Sequence, residues 1–71
     1  MEESRVELFG KDTRPYTTAA REDYARRKVP FTYVDVSRDA KELDRMIRLS
    51  GGRHVPVIVE SGKVTIGFGG T

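Results

Sequence analysis

No cysteine occurs anywhere in the chain. Its absence excludes a disulfide framework and a thiolate metal site. It also leaves the polypeptide without the thiolate that most disulfide chemistry uses. Charge of one sign is not concentrated either: 13 Lys and Arg stand against 11 Asp and Glu, for a net charge of +2. With no long basic run and no aromatics interleaved on a basic face, the pattern gives no support to nucleic-acid binding. No apolar run reaches transmembrane length, and Met1-Glu2-Glu3-Ser4 lacks a signal-peptide pattern. The expectation is a cytoplasmic protein with no membrane partner. A single histidine, His54, offers no metal site and no triad. Asp39, Glu42 and Asp44 read as capping and surface charge, without the paired carboxylates of acid–base work. Internal repeats and low-complexity segments are absent.

What is present is one domain, residues 1–71. A chain of this size buries only about 60% of its extended surface, so its core is thin and its secondary structure must be good. The organising stretch is Lys11-Asp12-Thr13-Arg14-Pro15-Tyr16-Thr17-Thr18. An apolar alternation over residues 5–9 precedes it and predicts a strand. A helix is predicted from Pro15 to Lys28, with Pro15 at its first position and Thr13 or Asp12 as cap. Its apolar face takes Tyr16, Ala19, Ala20 and Tyr24, while Arg21, Glu22, Arg26 and Arg27 face water. Pro30 ends it. Arg26-Arg27-Lys28 complements the helix dipole.

Residues 31–36 carry apolar groups on both faces. That predicts a second strand, central in a partly parallel sheet and joined to the first by a βαβ crossover. Asp39-Ala40-Lys41-Glu42 has the form of a capping box with Asp at its head. The helix after it sets Ala40, Leu43, Met46, Ile47 and Ser50 on one stripe and stops at Gly51-Gly52. Residues 55–59 predict a third strand opening with proline. Ser61-Gly62 makes a two-residue turn, residues 63–66 a fourth, antiparallel strand, and residues 67–71 a glycine-rich loop. The order is βαβαββ.

These motifs resemble those of a glutaredoxin, within the thioredoxin-like fold, over nearly the whole chain. Glutaredoxins typically run strand, Lys, x, Thr, Cys-Pro-Tyr-Cys, helix; here Lys11-Asp12-Thr13-Arg14-Pro15-Tyr16-Thr17 stands in that place. His54-Val55-Pro56 matches the turn before the third strand, and residues 61–70 match the hairpin and Gly-Gly loop. The resemblance implies an α/β, thioredoxin-like βαβαββ fold: a four-stranded mixed sheet with two helices, the usual closing helix missing. It also implies a cis Val55–Pro56 peptide facing the redox residue. Both motif cysteines are replaced, by Arg14 and Thr17. The UXX-star group of glutaredoxin-like proteins, with selenocysteine at the first position and often threonine at the second, is the most similar pattern. That similarity implies a selenocysteine replaced by Arg14, one base change from UGA, and a second selenocysteine codon after Thr71.

The implied activity is thiol- or selenol-disulfide exchange with glutathione as co-substrate and protein or glutathione disulfides as partners, in a monomer or a weak dimer. No bound cofactor is expected. Catalytic positions are Arg14, where the redox atom belongs, and Thr17, a hydrogen-bond donor to the anion. Substrate-binding positions are Lys11, Tyr16, Val55, Pro56, Gly69 and Gly70. Lys11 also reads as surface charge and Tyr16 as packing at a helix start; Arg53 reads first as surface charge and second as a glutathione contact. The acidic pair that often follows Gly-Gly in glutaredoxins is missing. As written, the chain has no nucleophile, because a guanidinium stays protonated. The alternative is a non-enzymatic module that binds glutathione or a peptide at the cis-proline groove, with Arg14 simply pointing into water.

Overall fold

Four short strands and two helices alternate along the chain in a computed structural model that describes residues 5–70. The segment read above for targeting, residues 1–4, and Thr71, after which the second selenocysteine codon is expected, lie outside the described residues. Strand β1 spans Val6–Gly10 and strand β2 Thr32–Asp35, and they pair in parallel, with Leu8 opposite Tyr33. Helix α1, Pro15–Arg26, joins them. Helix α2, Ala40–Ser50, leads to the hairpin of β3, Val57–Glu60, and β4, Lys63–Ile66. The sheet order is β2-β1-β3-β4, with β3 antiparallel to both neighbours. Among the described residues no helix follows β4.

Strand β2 is therefore an edge strand and not the central one. Its two apolar faces have another cause: the sheet carries a helix on each side. Val6, Leu8 and Ile58 pack with Ala20 and Tyr24 of α1, and Phe31 and Tyr33 join that layer. Phe9, Val36 and Val57 pack with Met46 of α2, and Val34 joins the other layer. An edge strand lying between two helices needs apolar residues of both parities. Full burial of each large side chain contributes about 1.5–3 kcal/mol, and Leu8, Phe9, Met46 and Val57 have no exposed surface at all.

Helix boundaries follow local chemistry. The N-cap of α1 is Arg14, with φ −98° and ψ 125°, and no side chain caps it. The expected caps do other work: Asp12 accepts from the Tyr33 hydroxyl at 2.7 Å, and Thr13 is exposed. At the other end α1 stops at Arg26, before Lys28. Lys28 takes a left-handed φ of 60°; its N–H reaches the Ala25 carbonyl and the Val29 N–H reaches that of Tyr24, each at 3.0 Å. This is a Schellman cap with lysine in the place usually given to glycine. The buried face of α1 is Thr17, Ala20 and Tyr24, so Tyr16, 45% exposed, is outside the stripe. Arg21 does not face only water: its guanidinium lies 3.9 Å over the Tyr33 ring.

Asp39 caps α2 as expected, accepting from the N–H groups of Lys41 at 3.1 Å and Glu42 at 3.4 Å. Glu42 does not close the box; its carboxylate goes to Arg45. Ala40 is exposed, so the buried stripe starts at Leu43. Gly51 ends the helix with φ 86°. Ser61 and Gly62, φ 50° and 87°, form the two-residue hairpin turn, both left-handed as a type I′ turn requires.

Candidate functional site

Position 14 is presented by three local constraints. The Arg14 N–H bonds the Lys11 carbonyl at 3.0 Å, closing a tight turn after β1. Pro15 then fixes the first helical φ, so Arg14 is held extended at the helix entrance. Beneath the turn, Thr17 is fully buried and its hydroxyl accepts from the Lys11 N–H at 3.4 Å. Thr17 packs so closely on Gly10 that a Cβ there would lie 2.3 Å from its Cγ2. The threonine expected beside the redox atom is thus a buried tie between β1 and α1.

Across from the turn, the Val55–Pro56 peptide is cis, as the resemblance implied. Pro56 is buried, and its carbonyl accepts from the Gly67 N–H at 2.7 Å. No hydrogen bond occupies the Val55 backbone among the described residues. Lys11, Arg14, Pro15, Tyr16, Arg53, His54 and Val55 line one cavity of about 330 Å³. Four expected positions, Lys11, Arg14, Tyr16 and Val55, therefore meet there, and Arg53 and His54 join them. Pro56, fully buried, is not part of this lining. Gly69 and Gly70 do not reach this lining; they border a separate depression with Tyr24, Ile58 and Phe68.

Asp12 would put a carboxylate next to the cavity, but three partners turn it away. Besides the Tyr33 hydroxyl, it faces Arg21 at 3.5 Å and Arg38 at 3.8 Å. Burial, and then the bond to Asp12, raise the Tyr33 hydroxyl above its ordinary range, so it stays a donor at all physiological pH values. The loop is pinned to β2 by that bond. Neither Gly10 nor Asp12 was expected in these roles. A glycine ending a strand signals a close backbone approach, and a half-buried tyrosine needs a partner for its hydroxyl; both signals are local and readable. Among the described residues no three of His, Cys, Asp and Glu gather as a metal site.

Known proteins share this fold. The family profile described as Glutaredoxin matches residues 6–65. A glutaredoxin-like 8.6 kDa protein of the rubredoxin operon of Clostridium pasteurianum, itself uncharacterised, is 30% identical over 63 residues, covering 89% of this chain and 84% of its own. The glutaredoxin of Archaeoglobus fulgidus superposes with a TM-score of 0.85 at 24% identity, over 93% of this chain and 77% of that one. Wheat glutaredoxin gives 0.77 at 18% identity, over 92% of this chain and 63% of its own. The fold is the thioredoxin-like one the motifs imply.

Proposed function

This chain belongs to the glutaredoxin family, and we propose that position 14 is the family's redox position, occupied here by arginine. One observation carries the reading: Arg14, at the N-cap of α1, lines the same cavity as Val55 of the cis peptide. A thiolate or selenolate at that place would be stabilised by the first N–H groups of the helix and by Lys11. It would attack one sulfur of a glutathionyl mixed disulfide, and the other sulfur would leave as a thiol after taking a proton. A second glutathione would then displace the first as glutathione disulfide, with no resolving cysteine at position 17. Lys11 would meet a glutathione carboxylate, Tyr16 would flank the groove, and the Val55 backbone would pair with the extended peptide.

Arginine supports none of these covalent steps, so the chain as written is inactive in disulfide exchange. Threonine at position 17 favours the UXX-star pattern, in which selenocysteine is the ancestral residue at position 14. The gene tests that part: an arginine codon one base from UGA agrees with it, and one further away does not. A second reading, a module that binds glutathione or an extended peptide without chemistry, is favoured by the unpaired Val55 backbone in a chain with no nucleophile. Assaying Arg14→Cys for glutathione-dependent reduction of hydroxyethyl disulfide separates the two. Turnover by the variant, with none by the parent, supports the redox position; a folded variant without turnover supports the binding module.

A further inference from the structure

The cavity beside Arg14 gathers three cationic side chains and no carboxylate. Six arginines, Arg21, Arg26, Arg27, Arg38, Arg45 and Arg48, have carboxylate partners within 4.0 Å. Lys11, Arg14 and Arg53 have none among the described residues, and neither do Arg5, Lys28, Lys41 and Lys63, but the first three share one cavity with no carboxylate in its wall. The nearest acid in sequence, Asp12, is held by Tyr33, Arg21 and Arg38. Three formal positive charges thus converge in a molecule whose net charge is +2. Gathering like charges around one space is unfavourable unless an anion enters it.

We infer that this cavity binds the dianionic phosphoryl group of a small molecule, with Arg14 and Arg53 as the principal ligands and Lys11 as the third charge. Guanidinium forks match tetrahedral oxyanions by paired N–H donation, whereas an ammonium acts as a point charge. A dianion neutralises two of the three cations; a single carboxylate leaves two uncompensated. The volume, about 330 Å³, admits a small ligand and no folded partner. The inference uses the cavity of the redox reading but not its chemistry, because it concerns the chain with arginine in place.

Titrating the parent chain with inorganic phosphate, with amide chemical shifts as readout, tests it. The work is done above the second ionisation of phosphate and at constant ionic strength. Saturable shifts at residues 14–17 and 53–55 are expected, larger than those with acetate or chloride. Arg14→Gln and Arg53→Gln should each weaken binding by about tenfold, and Arg48→Gln, whose side chain pairs with Asp44 on α2, should leave it unchanged. Both substituted side chains are exposed, and the amide spectrum reports whether each variant is folded. Tighter binding of phenyl phosphate than of inorganic phosphate assigns the site to a phosphoester, and equal binding assigns it to the free ion. Acetate binding as well as phosphate, or Arg14→Gln binding as well as the parent, overturns the inference. Neither result bears on the Arg14→Cys rescue.

Discussion

Gly10 and Thr17 show how single residues set the position of the site. The strand must end in glycine because the Thr17 side chain occupies the space a Cβ would fill, with Cγ2 at 2.3 Å and Oγ1 at 2.6 Å. Gly10→Ala is expected to cost about 1–3 kcal/mol in denaturant unfolding, the range of an overpacked core. Thr17→Ala should recover part of that loss, since only the Cβ at 3.0 Å would remain close. A double-mutant cycle should therefore show a coupling of at least about 1 kcal/mol. Simple additivity would mean that the clash is relieved by backbone movement instead. Lys28 is the opposite case, a residue tolerated and not required. Its left-handed φ of 60° suits glycine better, so Lys28→Gly should stabilise by about 0.5–1 kcal/mol in the same measurement. A loss of stability would show that the lysine side chain is needed there.

At the scale of elements, Arg45 adds polar contacts between α2 and β1 to the apolar packing of Met46 with Phe9. Arg45 makes a paired contact with Glu7 at 2.7 and 3.1 Å, bonds Glu42 at 2.7 Å, and lies 4.8 Å over the Phe9 ring. The Arg45 hydrogen bonds hold the Glu7 carboxyl below the usual carboxylate range, against the opposing effect of burial. Because the folded pKa is depressed, the stabilisation is complete above the unfolded glutamate value, near 4.3. It is lost as pH falls through the lower folded value. Glu7→Gln should cost about 1 kcal/mol at pH 7, an amount reduced by the half-exposed setting. The difference from the parent should vanish at about pH 2. A cost that persists undiminished in acid would point to packing, not charge. Helix capping gives a separate check: Asp39→Ala removes the acceptor for Lys41 and Glu42, and the expected loss is about 1 kcal/mol.

For the molecule as a whole, most of the architecture was legible because it rests on local signals. Pro15, Asp39, Gly51 and Ser61-Gly62 mark their boundaries by backbone chemistry alone, and each boundary is observed. The place of β2 was not legible. Apolar residues of both parities look the same in a central strand and in an edge strand lying between two helices. Asp12 was misread for a related reason: a carboxylate before a helix suggests a cap until the parallel pairing of β1 and β2 brings Tyr33 to it. The candidate site was legible on both sides of its cavity, through Arg14-Pro15-Tyr16 and Val55-Pro56. Arg53, read first as surface charge, lines the cavity with Lys11 and Arg14 although 39 positions of sequence numbering separate it from Arg14, and the three-dimensional fold decides between its two readings. A redox role for position 14 requires surroundings that stabilise an anionic chalcogen. Ultraviolet titration of the thiol introduced by Arg14→Cys tests it most directly. The expected pKa lies well below the ordinary value of about 8.5; a thiol titrating at or above that value rules the redox role out.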